Sequence, residues 1–274
     1  MLYCQQHPAF LSHLGSSDLE ATLKASISLM NKSNITEGKS LMLKKAHDRL
    51  NFNRDKNGKL DCYGTEESAF LCLFAPVWKL QFVCQCTSDF CPTKRCVKIR
   101  YQTTFSLPEH SSDIQSIFPN PGDNMGYCGA EFSTKPPSNV PYKVCDKIDA
   151  NSTKRDQFYS CSGGCKILSC GFIHNNPWVI PISIEGISLN NINNLPLTIN
   201  VYHRCYKLGG CTMNTGGHFV TILLWHGTPY FYDGIRSTKQ QRFIEYNSGL
   251  LANLVNCTGS YAYYFLHHVT HIAT

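Results

Sequence analysis

The hydrophobic period of this chain changes once, near Val77, and that change limits what it can fold into. Before it, Leu19, Leu23, Ile27 and Met30 recur at helical spacing. They follow Ser16-Ser17-Asp18-Leu19-Glu20, an N-cap backed by carboxylates. Gly38 to Leu50 carries Leu41, Leu43 and Ala46 among lysines and predicts a second, short helix. Asn51 to Leu60 is polar, contains Asn57-Gly58 and reads as a loop. Thr65 to Phe74 opens on a capping Thr and two glutamates, then turns apolar, which predicts a buried helix. After Val77, the apolar residues Leu80, Phe82, Val97, Ile99, Tyr101 and Phe105 predict strands alternating with Cys-rich turns. Residues 108–157, rich in Pro, Ser, Asn, Asp and Gly, are expected to form a long exposed excursion, partly disordered. Then VIPISIEGI, LPLTINVY, HFVTILLW, PYFYDGI and AYYFLHHV predict antiparallel strands, with tight turns at His226-Gly227 and Asp233-Gly234. Helices first and strands later is an α+β order, not a βαβ repeat.

The 274 residues suffice for one large domain or two ordinary ones. With 42% hydrophobic and 16% charged residues, wholesale disorder is excluded. No apolar run approaches ~20 residues, so no membrane-spanning helix is expected. The net charge of +6 is spread along the chain without a basic block, which argues against a nucleic-acid partner and is compatible with a partner carrying acidic patches.

Fifteen cysteines is an odd number, so at least one stands outside any intrachain disulfide. The chain begins Met-Leu-Tyr-Cys-Gln-Gln-His-Pro, with neither a basic nor an apolar leader segment. The cytoplasm or nucleus is therefore expected, where clustered cysteines more often bind metal or catalyse. A secreted, disulfide-linked scaffold is the competing reading, and the Asn-x-Ser/Thr triplets at Asn31, Asn34, Asn151 and Asn256 fit it. Cys84, Cys86, Cys91 and Cys96 form one cluster, and Cys161, Cys165 and Cys170 another. Four-cysteine zinc sites are built from two tight pairs. Cys161-x₃-Cys165 qualifies as one, and Cys86-x₄-Cys91 and Cys91-x₄-Cys96 are looser candidates for the second. The preferred set for a structural zinc is thus Cys86, Cys91, Cys161 and Cys165, with Cys84 and Cys170 as substitutes. Free thiols are the alternative.

Residues 206–234 concentrate the chemistry. Gly216-Gly217 precedes His218, which opens the strand His-Phe-Val-Thr-Ile-Leu-Leu-Trp. Paired glycines allow a close backbone approach where an imidazole is presented. A hairpin returns through Pro229-Tyr230-Phe231-Tyr232 to Asp233, so His218 and Asp233 can meet across adjacent strands. There the carboxylate can fix the imidazole tautomer and stabilise its cation. A structural His and a turn Asp in an ordinary hairpin is the bland alternative.

This block resembles the His box of ubiquitin-specific proteases: a Tyr-x-Leu strand, a loop ending Gly-Gly-His-Tyr/Phe-Val, a strand, and an aromatic-rich strand ending in Asp. VIPISIEGI resembles the strand before the family's ubiquitin-facing insert, and SYAYYFLHH its closing strand. TEESAF followed by LCLF is similar to a degenerate Gln-Asp-Ala-x-Glu-Phe-Leu helix, with Phe70 and Leu71 retained. The cysteine clusters sit where the family places its zinc-ribbon knuckles. The resemblance implies a single α+β domain over 1–274 of the papain-like cysteine peptidase type. It would comprise a partial helical thumb at 1–76, Cys-rich fingers at 77–175 with the 108–157 insertion, and an antiparallel palm sheet at 176–274. It implies a thiol isopeptidase acting on ubiquitin or a ubiquitin-like protein and its conjugates. His218 would be its base, Asp233 its orienting acid, and Gly216 and Gly217 would face the diglycine tail. The family's frequent second acidic residue is replaced by Gly234.

The resemblance also exposes a gap. A thiol nucleophile needs a lowered pKa, supplied by a paired imidazole and a helix N-terminus. The family's Gly-Asn-Thr-Cys-Tyr-x-Asn motif is absent from this sequence. LYCQQHPAFLSHL resembles the segment after it, which would set the cysteine about two helical turns before Leu2 and make Met1 an internal methionine. Cys4, the nearest substitute, is displaced by roughly 11 Å on such a helix. Cys62, Cys72 and Cys211 are weaker candidates still; Cys211 is close in sequence to His218 but has no helix start beside it. Three readings are open: an isopeptidase, a catalytically dead ubiquitin-binding module on the same scaffold, and a secreted disulfide protein.

Overall fold

The structure, a computed structural model, describes residues 11, 14–50, 53–54, 56–58, 66, 71–87, 97–107, 113–127, 131–132, 142–145, 158–161, 164–174, 177–185, 187, 195–216, 218–225, 228–233, 243–245 and 257–267. The single domain expected from the sequence divides into two compact units. One comprises Met1–Lys79, Thr103–Ile117 and His174–Thr274; the other comprises Leu80–Gln102 and Phe118–Ile173.

In the first unit, helix α1 (Asp18–Asn31) starts where its cap predicts. The Glu20 amide donates to Ser17 Oγ at 3.3 Å, and Ser17 Oγ donates back to the Glu20 carboxylate at 2.6 Å, which closes the N-cap. Leu19, Leu23, Ile27 and Met30 form its buried face. Helix α2 (Ile35–Leu50) begins three residues before the predicted Gly38 and buries Gly38, Met42 and Ala46 instead of Leu43, which is exposed. The four-residue spacing of that stripe packs on α1, where Ser26 Oγ donates to the Gly38 carbonyl. Helix α3 (Cys72–Trp78) runs past Val77 and contains Pro76. Its predicted cap, Thr65, lies outside the described residues. Phe74 of α3 meets Trp178 edge-on at 5.7 Å, and Trp178 Nε1 donates to Glu20 Oε1 at 3.1 Å, so α1 and α3 share one aromatic anchor.

The same unit holds a seven-stranded antiparallel sheet of β8 (Val179–Ser183), β9 (Thr198–Val201), β10 (Arg204–Asn214), β11 (Phe219–Trp225), β12 (Thr228–Asp233), β13 (Phe243–Glu245) and β14 (Thr258–Leu266). Its order is β13-β12-β11-β10-β14-β8, with β9 also on β10. All five residues of β8 are buried, the pattern of a strand covered on both faces. Trp225 pairs with Thr228 around the predicted His226-Gly227 turn, whose two residues lie outside the described set, as does Gly234. The β9–β10 hairpin turns at Tyr202-His203, both at positive φ (45° and 66°), as a two-residue loop whose twist matches the strands.

Residues 103–117, expected among the Cys-rich fingers, belong to this first unit. Phe105, Leu107 and Ile114 are buried, and Ser183 donates to Phe105 while Leu107 donates back to Ser183. Of these, only Ile114 lies in the excursion expected to be exposed, and burying its side chain outweighs the polar composition around it.

The second unit contains a four-stranded antiparallel sheet, β2-β1-β7-β3, of β1 (Leu80–Cys86), β2 (Val97–Gln102), β3 (Asn124–Tyr127) and β7 (Gly164–Phe172). A three-stranded sheet has the order β4-β6-β5, from β4 (Glu131–Phe132), β5 (Tyr142–Cys145) and β6 (Phe158–Cys161). Three of these strands and the buried Ile114 and Phe118 fall within 108–157, so its described parts include sheet and core, while Asp123, Asn124 and Gly126 are exposed as expected. Backbone pairing tolerates the polar side chains that made the segment look like loop. Val97, Ile99 and Tyr101 do form a strand, but they are exposed. No helix among the described residues is long and apolar enough to cross a membrane.

Candidate active site

Strand β12 runs antiparallel to β11 with Asp233 opposite Val220. His218 lies two residues before Val220 and is therefore the diagonal neighbour of Asp233 on one face of the sheet. Its Nε2–H donates to Asp233 Oδ1 at 2.8 Å. The two side chains are 29% and 17% exposed, half-shielded from water yet reachable. This bond commits the neutral ring to one tautomer and leaves Nδ1 as its basic nitrogen. An imidazole so held can take a proton at Nδ1 while the carboxylate stabilises the resulting cation.

The turn before β11 fixes where the ring sits. Asn214 ends β10, and its Oδ1 accepts from Gly216 N at 2.8 Å. Thr215 donates to the His218 carbonyl twice, through its amide at 2.8 Å and its hydroxyl at 2.9 Å. Gly216 has φ +90°, and a Cβ there would meet nothing within 4 Å. The space beside Gly216 is open, and the glycine serves the left-handed backbone of the turn. The tight approach occurs instead at Gly210, where a Cβ would come 2.3 Å from the Ile222 carbonyl oxygen of the neighbouring strand. Gly217 lies outside the described residues.

Sequence reading passed over Glu66 as a functional residue. Its carboxylate accepts from Thr212 Oγ1 at 2.6 Å, from Ser260 Oγ at 3.0 Å and from the Tyr263 hydroxyl. Burial pushes the Glu66 carboxyl above its ordinary range despite these three donors. The Tyr263 phenol is raised well above its ordinary value by burial and by Glu66. The capping pattern of TEESAF located this glutamate on a helix, but nothing local distinguishes a clamped carboxylate from a solvated one.

Among the described cysteines, Cys211 is closest in sequence to His218. It is buried, and burial reinforced by Glu66 pushes its thiol up to about 12, which makes a poor nucleophile. Cys72 is exposed. Cys4, Cys62 and Cys91 lie outside the described residues. In the second unit, β1 and β7 set Cys86 directly opposite Cys165, both buried. Directly opposed side chains project on one face, so these two fit half of a four-thiolate zinc site. Cys161 ends β6, in the other sheet, so the Cys161-x₃-Cys165 pair bridges two sheets. Of the substitutes, Cys84 Sγ contacts Met125 Sδ at 3.9 Å and Cys170 donates to the Pro119 carbonyl at 3.1 Å. No group of three or more His, Cys, Asp or Glu side chains is gathered for a metal among the described residues.

No protein-family model matches the chain. No curated protein matches it either. Among solved structures it is similar to the SAGA Ubp8/Sgf11/Sus1/Sgf73 DUB module bound to ubiquitin aldehyde, at 11% identity and a TM-score of 0.44, covering 98% of this chain and 67% of that one. It is similar to the same module with mutated Ubp8 bound to monoubiquitin, at 11% identity and a TM-score of 0.42, covering 98% and 66%. A yeast SAGA DUB module carrying an Sgf73 mutant gives 11% identity and 0.41, covering 98% and 67%. The chain spans about two thirds of the length of each.

Proposed function

We propose that this chain is a ubiquitin-specific-protease-like scaffold that recognises the C-terminal tail of ubiquitin or a ubiquitin-like protein. In this reading His218 is the general base of a thiol isopeptidase, and Asp233 orients it. The observation that carries it is the 2.8 Å bond from His218 Nε2 to Asp233 Oδ1 across the β11–β12 hairpin. That bond leaves Nδ1 to take the proton of a thiol. The Tyr-x-Leu, Gly-Gly-His-Phe-Val and aromatic-Asp sequence around the pair supports the same reading. Cys86 and Cys165, with Cys91 and Cys161, would hold a structural zinc in the second unit.

The second reading, a catalytically silent ubiquitin-binding module, is favoured by the thiols. Cys211 is buried with its thiol pushed up to about 12, and the His218 imidazole hydrogen-bonds only Asp233 among the described residues. Losing the nucleophile from a thiol hydrolase removes nearly all turnover, while binding rests on a broad surface.

One experiment tests both. The full chain is incubated with ubiquitin carrying a C-terminal electrophile, and unmodified ubiquitin is titrated in parallel by calorimetry. Labelling of one cysteine that His218→Ala abolishes supports the isopeptidase. Binding without labelling supports the silent module. Neither binding nor labelling sinks both.

A further inference from the structure

We propose that Glu66 is a positioning residue for the His218–Asp233 pair, acting through a bulge between β10 and β14. The inference rests on reading that pair as base and orienter. Cys211 pairs with Ala262 and Met213 with Gly259, so Ser260 and Tyr261 of β14 together oppose the single residue Thr212 of β10. Such a bulge increases local twist and re-aims the side chains beyond it. It also takes the Tyr261 amide out of the regular ladder, and that amide donates to Thr212 Oγ1 at 3.2 Å. Thr212 Oγ1 in turn donates to Glu66 at 2.6 Å, while Ser260 Oγ and the Tyr263 hydroxyl bind the same carboxylate. Glu66 thus holds both strands of the bulge from a separate helical segment.

The bulge sits one residue row from the candidate site. Thr212 faces Thr221, and the next row runs Met213–Val220–Asp233. Two residues beyond Thr212, Asn214 opens the turn whose hydrogen bonds hold Gly216 and the His218 carbonyl. A change in twist at Thr212 is therefore passed along both strands, shifting the His218 ring against the Asp233 carboxylate. A 2.8 Å bond tolerates little such movement.

The test reads the ring of His218 directly. The full chain is labelled with ¹⁵N-histidine and its ring tautomers are read by long-range proton–nitrogen correlation, with His218 assigned by its loss in His218→Gln. The expected result is a single Nε2–H form in the unsubstituted chain, lost to exchange averaging in Glu66→Leu and Thr212→Val. Glu66→Gln keeps an acceptor for Thr212 and Ser260 and is expected to retain it. Glu20→Gln, which loosens the α1 cap instead, is expected to lower stability without changing the His218 signal. A folded Glu66→Leu chain with an unchanged His218 tautomer overturns the proposal. If Glu66→Leu shows no cooperative thermal transition, Thr212→Val, which removes one hydroxyl at constant shape, decides by the same two results. Failure of the functional reading is seen separately, as absent ubiquitin binding by a chain whose His218 signal still responds to Glu66.

Discussion

Glu66 and Thr212 are 146 residues apart in sequence and joined by a 2.6 Å hydrogen bond, with Ser260 on the same carboxylate oxygen. A carboxylate taken out of water survives where donors replace its hydration, and three hydroxyls do so here. The arrangement ties Glu66 to β14 and to β10, the strand from which the His218 turn departs.

The pH dependence of stability is expected to carry two opposed contributions. Burial raises Glu66, so the native state keeps its proton above the ordinary 4.5 while the unfolded chain releases it. Stability therefore falls as pH rises from 4.5 through the raised value. Burial also acts on Glu20, but hydrogen bonds from Ser17, Gly15 and Trp178 outweigh it and hold the carboxyl low. Its contribution is present above 4.5 and lost as pH falls through the lowered value. Urea midpoints across this range should show a flatter alkaline-going decline in Glu66→Gln and a flatter acid limb in Glu20→Gln. Parallel curves for both variants and the unsubstituted chain would contradict the assignment.

Two glycines of one hairpin are expected to respond differently to the same change. Gly216→Ala places a methyl in open space at φ +90°, so only backbone strain opposes it, about 1–2 kcal/mol. Gly210→Ala drives a Cβ to 2.3 Å from the Ile222 oxygen, and the strands must part. Denaturation midpoints should rank Gly210→Ala well below Gly216→Ala; equal losses would count against the close approach.

Phe74→Ala is expected to cost about 3–5 kcal/mol, because it empties a fully buried site and removes the edge contact to Trp178. Phe74→Leu should recover much of that loss. The difference is read from urea midpoints at constant slope.

Cys211 is expected to resist alkylation. With its thiol buried and raised to about 12, little thiolate is present at pH 8. Brief iodoacetamide treatment of the native chain, followed by peptide mass spectrometry, should modify the exposed Cys72 before Cys211. Faster reaction at Cys211 would place it in a more polar environment than a sheet interior.

The sequence by itself determined the local features. Ser17 reads as a helix start because the capping hydroxyl and the carboxylates behind it lie within one turn. His218 and Asp233 read as a pair because one hairpin and a period of two bring residues 15 apart onto one face. Other features depend on partners the local pattern does not contain. The Tyr202-His203 turn carries no glycine or asparagine to announce it and is imposed by the strands it joins. Ile114 and Phe118 lie in a segment with the composition of a polar loop, yet the core accepts both. Glu66 is the sharpest case, since its hydroxyl donors lie 146, 194 and 197 residues away. Only the assembled sheet decides whether a carboxylate is desolvated and which groups replace its water, because both are set by neighbours in space and not by neighbours in the chain.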